Sequence, residues 1–145
     1  MGGIMVKARF DAEVPNLPQV IDFVNEALSG DGWDQETLAV MDVAVEEIFV
    51  NIASYAYATL PGAEKFADIT VDLDDEGVTV ILEDAGVEYN PLLREDPDVT
   101  LPAKDRSIGG LGIYMVKMSM DKVEYERKDG RNVFTIRKVK PAAKG

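Results

Sequence analysis

The chain has 145 residues, 27 acidic and 15 basic, a net charge of −12, and neither cysteine nor histidine, so it is the size of one domain able to bury about two thirds of its unfolded surface. The missing cysteine and histidine remove disulfides, thiolate metal sites, a thiol nucleophile, the commonest general base and a histidine phosphoacceptor. The acidic balance excludes a nucleic-acid footprint and adhesion to anionic lipid. No apolar run approaches the roughly 20 residues that span a bilayer, and Lys7, Arg9 and Asp11 interrupt the apolar residues at the N-terminus, so a cytoplasmic protein is expected.

In chain order, Val6, Ala8 and Phe10 alternate with Lys7 and Arg9, which predicts a short edge or near-edge strand with one wet face. Asn16 and Pro18 read as the cap and first turn of a helix whose apolar face is Val20, Phe23, Val24, Ala27 and Leu28 and which ends at Ser29 and Gly30. A turn over residues 31–34, with Asp34 as cap, leads into a long helix that stops before Pro61 and Gly62. Ile69, Val71 and Leu73, a turn at residues 75–77, then Val78, Val80 and Leu82 predict a hairpin. From Ala85 to Ile108 periodicity disappears and Pro91, Pro97 and Pro102 intervene. A loop of that length is usually functional. Gly109, Gly110 and Gly112 open a third helix with Leu111, Met115, Val116, Met118 and Met120. A second hairpin follows, with Val123, Tyr125 and Arg127 on one strand, the turn Asp129–Gly130, and Val133, Thr135 and Ile136 on the other. The order predicts one α+β domain over residues 1–145, a two-layer sandwich with three helices on one face of a mixed, mostly antiparallel sheet.

The long helix carries the first candidate site. Leu38, Met41, Val45, Ile48, Ile52 and Tyr55 recur at steps of three and four, an apolar stripe. At about 100° per residue, Asn51 lies at the edge of that stripe and Glu47 just beyond it on the same flank, while Glu46 falls on the opposite flank. The Glu47 flank otherwise holds Val40, Ala44, Ser54 and Ala58, small or apolar residues that suggest a cover. A carboxylate and a carboxamide one turn apart can converge on a shared ligand; taken alone, they are equally a solvated pair on a helix surface.

Two further features bear on the same question. The first hairpin runs out into Asp84, Ala85, Gly86, then Tyr89, Asn90 and Pro91, an acid that can accept a hydrogen bond from an exocyclic amine and a glycine that permits close approach; alone, this is a turn. The glycines at 109, 110 and 112 sit at a helix entrance, where free N–H groups attract phosphate, with Lys104 and Arg106 just before them, which by themselves read as a solvated basic pair.

As a set, Glu47 with Asn51, Asp84 with Gly86 and the Tyr89–Asn90–Pro91 extension, and the run Arg106, Ser107, Ile108, Gly109, Gly110, Leu111, Gly112, Ile113 resemble the ATP-binding fold of gyrase, Hsp90, the histidine kinases and MutL (GHKL), most closely its anti-sigma-factor serine/threonine kinase branch. Met120, Asp121 and the Asp129–Gly130 hairpin keep the pattern, so the resemblance covers nearly the whole chain. It implies a histidine-kinase-like ATPase domain in which Glu47 is the general base, Asn51 holds Mg²⁺ against the phosphates of ATP, Asp84 reads the adenine amine and Gly86 lets the base dock. Gly110 and Gly112 would present N–H groups to the phosphates beneath a lid containing Arg106. Tyr55 stands where many relatives have histidine, and Glu88 and Tyr89 replace a small residue and phenylalanine. The function implied is a protein serine/threonine kinase that phosphorylates a small STAS-type anti-sigma antagonist and binds a sigma factor, in a branch whose members are often homodimers. The alternative is an ATP-binding regulatory module that holds a protein partner without transferring phosphate. An isolated histidine-kinase ATPase domain fits less well, because no histidine is present.

Overall fold

The computed structural model describes residues 3–93 and 111–141. Five strands, β1 (Ile4–Asp11), β2 (Phe66–Leu73), β3 (Gly77–Asp84), β4 (Lys122–Lys128) and β5 (Arg131–Val139), form a sheet of order β1-β2-β3-β5-β4. Every pairing is antiparallel. β1 is an edge, as its alternation predicts. Three helices, α1 (Leu17–Leu28), α2 (Gln35–Asn51) and α3 (Leu111–Ser119), complete the α+β architecture.

The two layers meet through complementary periodicities. Val20 and Val24 of α1, Val45 and Ile48 of α2, and Ile113 and Val116 of α3 share one buried cluster with Val71, Val80, Leu82, Phe134 and Ile136 of the sheet. Each such side chain contributes about 1.5–3 kcal/mol on burial. The other sheet face is closed over Phe66 and Asp68 by Arg9, whose guanidinium lies 3.8 Å from the Phe66 ring centroid and pairs with Asp68 at 2.7 Å. Arg131 reaches the same carboxylate at 3.0 Å, and these partners hold the Asp68 carboxyl below its usual range.

Local readings meet mixed outcomes. Asp34 caps α2, accepting from the Thr37 N–H at 2.7 Å, and the resulting stabilisation of its anion lowers its pKa. Asn16 does not cap α1. Its side chain donates instead to the Asp11 carbonyl at 3.0 Å, and a 3-10 turn, Val14–Asn16, precedes the helix. In β5 the buried set is Asn132, Phe134 and Ile136, so Val133 and Thr135 face the other side.

The end of α2 departs most from a regular helix. A π turn, Ile52–Ala56, continues it, and each π residue advances the helix by a smaller angle than an α residue. A side chain three positions beyond Ile52 is thus carried off the apolar stripe, while one four positions on stays. Tyr55, expected on that stripe, is 54% exposed, and Ala56 is 4% exposed. Ser54, expected beneath the cover of the Glu47 flank, is exposed for the same reason, and Ala58, expected there too, is exposed in the turn that ends the helix.

Candidate functional site

α2 brings Glu47 and Asn51 one turn apart, both half-buried, with Asn51 Nδ2 3.5 Å from Glu47 Oε1. Glu46, on the other flank, is exposed. The cover over Glu47 is the N-terminus of α3: a Cβ added at Gly112 would fall inside contact distance of the Glu47 carboxyl group. Gly112 is the second described residue of α3. The site therefore places an acid, a carboxamide and the closely approaching backbone of Gly112 side by side.

Asn51 also borders a cleft that it lines with Ile48, Ile52, Asp84, Asn132 and Phe134, Asp84 being the last residue of β3. The Asp84 carboxylate is 4% exposed. Its Oδ1 accepts from the Gly86 N–H and from Asn132 Nδ2, each at 2.9 Å. Burial raises the Asp84 pKa, opposed by those two bonds and by the charges of Arg127 and Arg131. Apolar walls with one acidic acceptor at the end suit a flat heterocycle that carries an amine.

Gly86 has a different immediate reason to be glycine than the docking of a base. A Cβ there would strike the carbonyl of Ala56 in the π turn, and the neighbouring Val87 N–H donates to that same carbonyl at 2.8 Å. The π turn and the strand-end loop are therefore stitched together directly behind the cleft. Tyr57 adds to this: its buried hydroxyl donates to the Phe66 carbonyl at 2.6 Å and accepts from the Ala85 N–H at 3.0 Å. Tyr55 and Tyr89 face each other with ring centroids 6.4 Å apart.

Arg106, Gly110, Lys104 and the expected lid over residues 89–108 lie outside the described residues, apart from the stretch up to Leu93, which includes the 3-10 turn Pro91–Leu93. The site also contains residues that the sequence reading did not single out. Asn132, Tyr125 and Tyr57 hold the loop and the acid, and Asn132 was detectable: it begins the inward alternation that continues with Phe134 and Ile136, and a buried amide demands partners.

Residues 10–138 match the family described as the histidine kinase-like ATPase domain. The chain belongs to that family. Within the family, it is 26% identical over 106 residues to the serine/threonine-protein kinase BtrW of Bordetella bronchiseptica, covering 73% of each chain. It is 24% identical over 131 residues to the serine-protein kinase RsbW of Bacillus pumilus, covering 85% of this chain and 81% of that one. RsbW of Listeria monocytogenes is 25% identical over 131 residues, with coverage of 83% and 81%. Among solved structures, the RsbU and RsbW domains of Rv1364c from Mycobacterium tuberculosis share the fold with a TM-score of 0.65 at 17% identity. That match covers 95% of this histidine kinase-like ATPase chain and 33% of the Mycobacterium chain.

Proposed function

We propose that this histidine kinase-like ATPase is a protein serine/threonine kinase and anti-sigma regulatory factor, a single domain that transfers phosphate from ATP to a small STAS-type antagonist protein and binds a sigma factor. The observation that carries the reading is that Asn51 and Asp84 line one cleft while Glu47 stands one helical turn from Asn51 with Gly112 of α3 packed against it, in a chain whose sequence relatives are named serine kinases. Phosphoryl transfer needs positioning and neutralised charge more than covalent chemistry from the protein, and these residues are of the kind that supply both.

In this reading Asp84 accepts the adenine amine, and the apolar walls at Ile48, Ile52 and Phe134 hold the base and exclude water. Gly112, with Gly110 outside the described residues, directs N–H groups to the phosphates, and Arg106 in the lid adds positive charge. Asn51 fits Mg²⁺: its Nδ2 turns toward Glu47, which leaves the carboxamide oxygen for a hard cation that prefers oxygen ligands. Bound with ATP, that ion neutralises charge on the phosphates. Glu47 takes the proton from the acceptor hydroxyl. As a carboxylate with no histidine in the chain to assist it, it must act directly, within hydrogen-bond reach of that hydroxyl.

Titration calorimetry tests the first requirement. Folded protein should give a saturable heat with ATP and Mg²⁺ and bind GTP at least tenfold more weakly, because a carboxylate at the base site repels a carbonyl oxygen. Absence of both heat and thermal shift at millimolar ATP would remove the reading.

A further inference from the structure

We propose that Asn132 is the residue that gives the base site its choice of adenine over guanine, by fixing Asp84 as an acceptor with one oxygen turned to the ligand. The inference rests on the ATP-site reading and adds a positioning residue to it. Adenine presents an amine where guanine presents a carbonyl oxygen. An ionised carboxylate accepts from the first and repels the second, whereas a protonated carboxyl group can donate to the second. The selectivity of the site thus depends on keeping Asp84 ionised although it is buried.

Asn132 is 5% exposed, and its bonds use both ends of the amide. Nδ2 donates to Asp84 Oδ1 at 2.9 Å and to the Val87 carbonyl at 2.7 Å. Oδ1 accepts from the Tyr89 N–H at 3.2 Å and from the Tyr125 hydroxyl. The network allows one orientation only. Turned over, the amide would set its oxygen against two acceptors and its NH₂ against the Tyr89 N–H. Because the Gly86 N–H also donates to Oδ1, a ligand amine is left with Asp84 Oδ2. The same amide grips Val87 and Tyr89, so the acid and the loop that lines the cleft are held in one register.

Several groups act on Asp84 among the described residues, Arg131 only through its charge from the other sheet face. Arg127 of β4 and Arg131 of β5 favour its ionised form, with Asn132 and Gly86. The phenols of Tyr57 and Tyr125 stand near it, their own pKa values raised by burial, and so remain neutral. Burial favours the protonated acid. Removing the Asn132 donor shifts that balance toward the protonated form, which discriminates less.

The test measures ATP and GTP affinity between pH 6 and pH 9 for the parent, Asn132→Leu and Asn132→Thr, together with the Asp84 titration midpoint by carboxyl carbon NMR. With leucine, the preference for ATP should fall about tenfold at pH 6 and recover toward pH 9, and the Asp84 midpoint should rise. Threonine, which restores a hydroxyl donor, should recover part of the preference. A folded leucine variant with the parental preference at every pH, or an unmoved Asp84 midpoint, overturns the role of Asn132 while leaving the ATP site standing. A parent that binds neither nucleotide overturns the ATP-site reading itself and this inference with it. If the leucine variant does not fold, Asn132→Ala is judged by the same criteria.

Discussion

Among the described residues Asp84 receives its two hydrogen bonds on one oxygen, from Gly86 and Asn132, and that asymmetry makes its amide variant informative. In Asp84→Asn the side-chain oxygen should stay with those two donors, which turns the new NH₂ toward the cleft. A donor then meets the adenine amine, so ATP affinity should fall by about ten- to a hundredfold, the worth of a lost hydrogen bond to a charged group. Against a guanine carbonyl the same NH₂ is complementary, and GTP should lose little or gain. Calorimetry with both nucleotides reads the outcome; equal losses for the two would mean that Asp84 does not contact the base edge. At this scale the sequence was partly legible. Glu47, Asn51 and Asp84 stood out because a polar residue beside an apolar stripe or at a strand end is conspicuous, and Glu46 could be separated from Glu47 by helical angle alone. Asn132 was not singled out, because its importance lies in partners from β3, β4 and the strand-end loop that only the fold brings together.

The elements carry their own constraints. Gly86 and Gly112 are both closely approached, but by neighbours of different stiffness. At Gly86 the obstacle is the backbone carbonyl of Ala56, and at Gly112 it is the movable end of Glu47. Gly86→Ala should therefore cost about 1–3 kcal/mol as an overpacking change, measured by urea denaturation, whereas Gly112→Ala should cost less stability and mainly displace Glu47. Similar losses from both would contradict the distinction. The β2–β3 turn adds a pH-dependent term. Asp74 accepts from Arg137 at 3.0 Å and from the turn N–H groups of Glu76 and Gly77, which lower its pKa to about 2 from 3.8. Its stabilisation is thus present above the unfolded value and lost as pH falls through about 2. Because the group is exposed to solvent, Asp74→Asn should cost no more than about 1 kcal/mol at pH 7, and the difference from the parent should shrink as pH falls from the unfolded value through about 2 in denaturation curves. Strand and helix placement was largely legible from periodicity, and the π turn was not. Nothing in Ile52–Ala56 forces a wider turn locally; the bond from Val87 to the Ala56 carbonyl is a tertiary contact, invisible to a helical projection.

For the whole molecule, the antiparallel sheet and the helices bring residues of α2, β3 and β5 to one cleft and Gly112 of α3 against Glu47 beside it, which is why the motifs could be recognised as a set though each is weak alone. Among the described residues no helix is long and apolar enough to cross a membrane, and no group of three or more acidic side chains gathers as a metal cage. The central claim is that this cleft transfers phosphate to protein and does not only hold nucleotide. Its most direct measurement is incorporation of labelled phosphate from ATP into serine or threonine of a STAS-type antagonist, by the parent, Glu47→Gln and Glu46→Gln. Transfer is expected from the parent and from the Glu46 variant, with a fall of about 10² to 10⁴ for Glu47→Gln and ATP binding retained. Parental transfer by the Glu47 variant, or ATP binding without transfer to any antagonist by the parent, would contradict that claim.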